Sequence, residues 1–247
     1  MFRMTFDRAG RRWLTAATLL LVTQTLPALE VARMQLPDEF AVAATRLPAK
    51  GYGGLNRGQF AVGLHRGDFT RIESRFAVFD PLYAANRGKS SFTLDAAGED
   101  RAVTAECRFK ERVITAGIIT FDATKLAYVC SIEGGESGTL TLGEPKPDGF
   151  KARVLARAER RGLAEIGAVR IDIASVHQFA KSKLSSQVPV GYLLSRDGQI
   201  VGAVELTDSN PTFFFRRGLS GDVERATLIA ALGLSVLRDP ANSMLGD

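Results

Sequence analysis

Histidine, tryptophan and cysteine are scarce in this chain: its 247 residues include two histidines, two cysteines and one tryptophan. His65 and His177 lie far apart in sequence. Neither has a carboxylate or thiolate at ligand spacing, so no metal or other cofactor is expected. Cys107 and Cys130 are too widely spaced for a CxxC redox motif or a zinc knuckle. A nucleophile elbow is also missing, because the glycines of Gly134-Gly135-Glu136-Ser137-Gly138 do not fit G-x-S-x-G. Gly88-Lys89-Ser90 ends like a phosphate-binding loop, but Tyr83 takes the place of its first glycine. Charge of one sign is not in large excess either, with 32 Lys and Arg against 27 Asp and Glu. Residues 1–28 carry Arg3, Arg8, Arg11 and Arg12 against Asp7, so without them the net charge falls from +5 to +2. That balance excludes a nucleic-acid footprint. A mean hydropathy of +0.01 excludes a polytopic membrane protein. What is present, 45% apolar and 24% charged residues, is the mix of a chain with a buried core.

The N-terminus has the pattern of an export signal. Residues 1–12 are cationic, residues 13–26 are uncharged and mostly apolar, and Pro27 and Ala28 follow. The apolar stretch is short for a membrane span. We therefore expect residues 1–28 to be a cleaved signal peptide and the protein to be periplasmic or secreted. Leu26 at the −3 position of a cut after Ala28 leaves an uncleaved N-terminal anchor as the alternative. Export would place the cysteines in an oxidising compartment. In the run Arg101–Lys110, Cys107 shares a face with Val103, Ala105 and Phe109, and in Lys125–Ile132 Cys130 lines up with Leu126, Tyr128 and Ile132. Both sulfurs thus point to the apolar side of a sheet, and a Cys107–Cys130 disulfide is expected.

Residues 29–58, broken by Pro37, Pro48 and Gly51-Tyr52-Gly53-Gly54, read as an extended lead-in. Residues 59–247 read as a single β-rich domain. Short alternating runs recur: Gln59–His65, Asp68–Phe79, Ser90–Asp95, Arg101–Lys110, Arg112–Phe121, Lys125–Ile132, Gly138–Gly143, Ile166–Ala174, Val188–Ser195, Gln199–Leu206 and Pro211–Arg217. Phe150–Glu159 alternates as a strand would, although its residues are also good helix formers. Arg66-Gly67-Asp68 and Arg196-Asp197-Gly198 read as turns, the second being the clearer hairpin. About a dozen strands with short connections indicate an antiparallel barrel or sandwich.

The C-terminus breaks the pattern. Ser220 is an N-cap candidate, and Asp222 and Glu224 suit a first helical turn. Ala226–Leu237 then carries no charge and no polar stripe. A helix apolar all round must be enclosed on all sides. The expected fold is therefore mainly β, an antiparallel barrel of about a dozen strands around a hydrophobic C-terminal helix. A last strand at Thr212–Arg217, a short capped link and Ala226–Leu237 give the chain an architecture that resembles the tubby-like superfamily, which includes tubby C-terminal domains and phospholipid scramblases. The resemblance spans roughly Gln59–Leu237. Tubby domains bind phosphoinositide headgroups, but no matching basic motif occurs here, so no functional residue carries over.

One polar cluster stands out. Arg71, Glu73 and Arg75 share a strand face, with Arg87 and Lys89 nearby in sequence. If a barrel gathers them, Arg71, Arg75, Arg87 and Lys89 could hold a carboxylate or phosphate; otherwise they form a solvated outer face. The expected role is non-enzymatic, as an envelope-associated binding or structural domain. Its expected partner is an envelope protein or an anionic ligand. The competing reading is a periplasmic hydrolase using His177 with a Ser or Asp.

Overall fold

The computed structural model describes residues 32–53, 56–78, 83–95, 102–116, 119–145, 158–183, 185–237 and 239. They belong to one compact unit, Val31–Asp247. The expected signal at 1–28 and most of Phe150–Glu159 lie outside the described residues.

Among the described residues, twelve strands form one antiparallel sheet: β1 (Ala44–Pro48), β2 (Arg57–Val62), β3 (His65–Val78), β4 (Tyr83–Leu94), β5 (Val103–Ala116), β6 (Ile119–Gly134), β7 (Gly138–Gly143), β8 (Arg161–Ile166), β9 (Val169–Val176), β10 (Gly191–Arg196), β11 (Gln199–Glu205) and β12 (Thr212–Arg216). From β2 to β12 each strand pairs with its neighbours in the chain, and β1 joins β12. Just past β1, Lys50 exchanges two backbone hydrogen bonds with Ala61 of β2, at 2.9 and 3.1 Å. This bridge brings the two ends of the sheet together, and the barrel is nearly closed.

A short helix, α1 (Asp38–Ala43), precedes β1, and a longer one, α2 (Gly221–Val236), follows β12. Every residue of α2 from Ala226 to Val236 is buried, as a helix without a polar face requires. The helix packs against β3, β4 and β9 through β12. Close approach is needed: a Cβ on Gly202 of β11 would lie 2.4 Å from the Thr227 methyl. The Tyr128 hydroxyl donates to the Gly233 carbonyl at 2.6 Å. Ser235 Oγ donates to the Leu232 carbonyl at 2.8 Å, which leaves Tyr52 to donate to Ser235 Oγ at 2.8 Å. The Tyr128 bond satisfies a carbonyl that the end of the helix would otherwise leave open. Burial pushes the Tyr52 hydroxyl up to about 12, against smaller opposing effects of the Ser235 bond and the Arg71 charge, and raises Tyr128 as well. Ser220 is the N-cap residue, but its side chain makes no capping bond; its carbonyl accepts from Glu224 N at 2.9 Å.

Cys107 and Cys130 face each other across β5 and β6, and their sulfurs are bonded at 2.08 Å. Both are buried in the core. Beyond α2, Asp239 receives two bonds of 2.8 Å from the Nε and Nη2 of Arg160, whose Nη1 also pairs with Glu144. Arg160 is only 1% exposed, so this carboxylate pair is what makes its burial tolerable. The contact ties the segment after the helix to the segment entering β8.

Several elements differ from the sequence reading. The lead-in is not merely extended: it forms α1 and β1 and covers the outer face of the sheet. Met34, Phe40, Val190 and Ala203 make a second buried cluster there, with Leu193, Ile200 and Phe214 packed against it. The cause is legible in Phe213-Phe214-Phe215. Phe213 and Phe215 enter the main core, so Phe214 needs cover on the opposite face. Glu205, 3% exposed, anchors the lead-in by accepting from Met34 N at 2.8 Å. The first hairpin turns at Gly63-Leu64, not at Arg66-Gly67-Asp68. Gly63 supplies a φ of +58°, and Leu64 is 90% exposed at the turn. Arg112–Phe121 is not one strand; it spans the end of β5 and the start of β6, which pair Ala116 with Ile119. Ile166–Ala174 is likewise split, because Gly167 at a φ of +55° turns β8 into β9. The expected Asp-Gly hairpin is present, with Asp197 and Gly198 at φ values of +50° and +78°.

Candidate functional site

Strand parity decides where each candidate cation goes. On β3, Phe69 is buried against Tyr52, with ring centroids 4.8 Å apart. Residues 71 and 73 share its face because side chains alternate along a strand. Arg71 and Glu73 are accordingly half-buried, and Ile72, on the other face, is 69% exposed. The Arg71 guanidinium lies 4.6 Å from the centre of the Phe69 ring and 5.5 Å from that of Tyr52. Aromatic faces attract a cation and cover its apolar stem, which explains how Arg71 can turn inward. The expectation of a solvated face for Arg71 and Glu73 is thereby corrected.

Arg87 and Lys89 alternate with buried Gly88 and Ser90, so they stand on the outer face, opposite to Arg71. Arg71 is therefore not grouped with Arg87 and Lys89. The backbone of Arg75 pairs with Asn86, and its side chain lies outside the described residues. Two residues that were not candidates complete the outer array. The register of β4 with β5 sets Arg87 directly opposite Lys110 and Lys89 directly opposite Arg108. All four side chains are exposed. The same two rows continue to Ile72 and Ser74 on β3 and to Val129 and Ala127 on β6. Val129 is 50% exposed, so the Lys89–Arg108 row is flanked on both sides by exposed aliphatic groups, Ile72 and Val129.

This arrangement is unfavourable for the protein alone. Opposite charges across a strand pair stabilise a sheet and like charges destabilise it, by about 0.2–1 kcal/mol per pair. Here two like-charged pairs are adjacent. Among the described residues, Arg87, Lys89, Arg108 and Lys110 form no ion pair. Glu106, two residues before Arg108, is the nearest acid on that face by register, in the row of Ser91 and Ser131. The array therefore presents four donors whose charge is not neutralised within the protein, a chemistry suited to phosphate or carboxylate oxygens. Arg108 and Lys110 were readable in the alternation opposite Cys107. Their partnership with Arg87 and Lys89 was not, because it depends on the register between β4 and β5.

His177, just after β9, is buried. Its Nδ1 donates to the Ser186 carbonyl at 3.2 Å, so Nε2 is the acceptor for the Ser175 hydroxyl at 3.0 Å. Ser175 Oγ also accepts from Arg160 N at 2.9 Å. Ser186 N returns a bond of 2.7 Å to the His177 carbonyl. The pair is thus woven into backbone ties that hold the 178–187 segment and the entry to β8. His65 opens β3 beside the first hairpin. No group of three or more His, Cys, Asp or Glu among the described residues is placed to hold a metal ion. No helix among them is long and apolar enough to cross a membrane.

Comparison of the chain with protein-family models, with curated proteins and with solved structures finds no significant match.

Proposed function

We propose that the protein is an exported, non-enzymatic binding domain of the cell envelope, and that it takes anionic groups on the outer face of β4 and β5. Residues 1–28 would act as the export signal, and Val31–Asp247 as the working unit. The observation that carries the reading is the direct cross-strand pairing of Arg87 with Lys110 and of Lys89 with Arg108, without an acidic partner. A purely structural barrel gains nothing from that pairing. A ligand bearing several phosphates or carboxylates would neutralise all four charges at once. The barrel-around-helix architecture fits a tubby-like relationship, which we also propose. In such a barrel the helix fills the interior, so binding falls to the surface.

The test is calorimetric titration of the full chain with inorganic polyphosphate at several salt concentrations. The expected binding weakens steeply as salt rises, because phosphate contacts release counterions. Arg87→Glu with Lys89→Glu should lower the affinity by at least tenfold and flatten the salt dependence. Binding that survives both changes would refute the assignment.

A second reading has one observation in its favour, the Ser175–His177 hydrogen bond, since a serine bonded to a histidine is the core of many hydrolases. The competing bonds of both residues to backbone groups favour a structural tie. Labelling of Ser175 by a fluorophosphonate, abolished by His177→Ala in a folded protein, would support the hydrolase. Absence of labelling would exclude this nucleophile.

A further inference from the structure

The outward rows do not stop at β5. Lys110 pairs with Ala127 of β6, Ala127 with Gly143 of β7, and Gly143 with Arg161 of β8. The first row therefore runs Arg87, Lys110, Ala127, Gly143 and Arg161 across the strands. The second row, behind it, runs Lys89, Arg108, Val129, Thr141 and Leu163. Parity explains why Arg161 belongs to this face. Arg160 turns inward to Asp239, so its neighbour turns outward, and Arg161 is exposed. Like the cations of β4 and β5, Arg161 forms no ion pair among the described residues.

Between Lys110 and Arg161 the first row holds only a methyl group and a glycine. Ala127 is exposed between buried Leu126 and Tyr128, and Gly143 follows buried Leu142. The two cations thus stand on either side of a low floor, about 14 Å apart at roughly 4.8 Å per strand. Acids bound this band on one side. The third row runs Thr70, Ser91, Glu106, Ser131, Thr139 and Glu165, and Glu165 pairs with Arg170 at 3.7 Å. The fourth row carries Asp68 and Glu133 around Thr93 and Thr104. At β9 the second row meets Asp172, which closes the band beyond β8. On the other side Asn86 and Glu111 pair next, and their side chains lie outside the described residues. The unneutralised cations therefore occupy a narrow band. It is two rows, or about 7 Å, along the strands and about 19 Å across them from β4 to β8.

That shape selects among anionic ligands. A compact anion would reach the four cations of β4 and β5 and leave Arg161 unused. An anionic bilayer is a plane and would press Asp68, Glu106 and Glu133 against its headgroups together with the cations. A second copy of the chain would lay its acidic rows on the cationic ones. Such a contact would lack the apolar centre that protein interfaces carry. A single chain laid across the strands meets the cations and avoids the acids. We infer that the ligand of this face is one extended polyanionic chain, with anionic groups on Arg87, Lys110 and Arg161 and its backbone over Ala127 and Gly143. This rests on the anion-binding reading of β4 and β5 and names its ligand class, a linear polymer of phosphate or carboxylate groups. Neither row contains an aromatic side chain, so nucleobases would find no surface to stack on.

Calorimetric titration of the full chain with triphosphate and with long-chain polyphosphate separates a compact site from an extended one. Arg161→Glu, in a protein whose circular-dichroism melt matches the parent, should weaken long-chain binding by about fivefold or more and leave triphosphate affinity unchanged. Arg87→Glu with Lys89→Glu should weaken both ligands. A polyuronate of equal length, run beside the polyphosphate, distinguishes a carboxylate chain from a phosphate chain as the tighter ligand. An Arg161→Glu variant that binds both phosphate ligands like the parent would overturn the extended chain and leave the compact anion site standing. Equal weakening of both would overturn it too, since a charge acting through space needs no contact. Single-stranded DNA of equal charge binding more tightly than either polymer would overturn the assignment to a chain without bases. A salt-sensitive dimer of the protein alone, seen by sedimentation, would assign the face to a second copy. A parent that binds neither phosphate ligand would instead overturn the anion-binding reading beneath.

Discussion

The two faces of β3 to β6 obey different rules. The inward positions include Phe69, Phe92, Leu94, Val103, Cys107, Tyr128 and Cys130, all buried in one core with α2. On the outward face of β4 and β5, two adjacent rows carry cations opposite cations. The inward, barrel half is what a sequence selected for stability produces. The outward half departs from that pattern in two ways at once, by like-charge pairing and by the exposed aliphatic side chains of Ile72 and Val129. Local departures of this kind, set in a fold that is otherwise consistent, mark the places where a protein meets something else. Breaking the barrel half should destroy the fold, whereas changing the outward cations should leave or improve it.

The largest effect should come from the helix. Deleting residues 220–247 removes the side chains that fill the barrel, and Leu232→Asp places an unpaired charge at a fully buried position. Either change should abolish the cooperative melt seen by circular dichroism. A truncated chain that still melts near the parent midpoint would mean that the barrel stands without its helix.

Next comes the buried ion pair. Arg160→Ala leaves Asp239 without its two bonds and should cost about 3–5 kcal/mol in denaturant unfolding. Arg160→Met combined with Asp239→Leu should recover much of that loss, because the costly species is a single buried charge. A double variant as weak as Arg160→Ala would show that the pair contributes net attraction.

Much of the barrel half was legible in the sequence, for physical reasons. Ala226–Leu237 has no polar face, so only enclosure suits it. Cys107 and Cys130 each share parity with apolar neighbours, so they met in the core. Asp197-Gly198 supplies the positive φ that a tight hairpin needs. What parity could not supply was the face that turns inward when both faces of a run are mixed. In β3, Phe69 enters the core and carries Arg71 inward with it, where aromatic rings cover the guanidinium, while Ile72 faces out. Register between strands was also out of reach. The pairing of Arg87 with Lys110 joins residues separated by a hairpin and is set by contacts distributed along both strands. The lead-in was misread because its proline and glycine positions hid β1, a strand of only five residues that pairs with the far end of the chain.

The smallest change in stability carries the most information. Arg87→Glu converts one like-charged pair into an opposite-charged pair facing Lys110, which should stabilise the sheet by about 0.2–1 kcal/mol while weakening polyphosphate binding severalfold. Both quantities can be read on one preparation, by thermal melting and by calorimetric titration. A raised or unchanged melting temperature with weakened binding is the expected result. A lowered melting temperature with undiminished binding would contradict it and return these cations to a structural role.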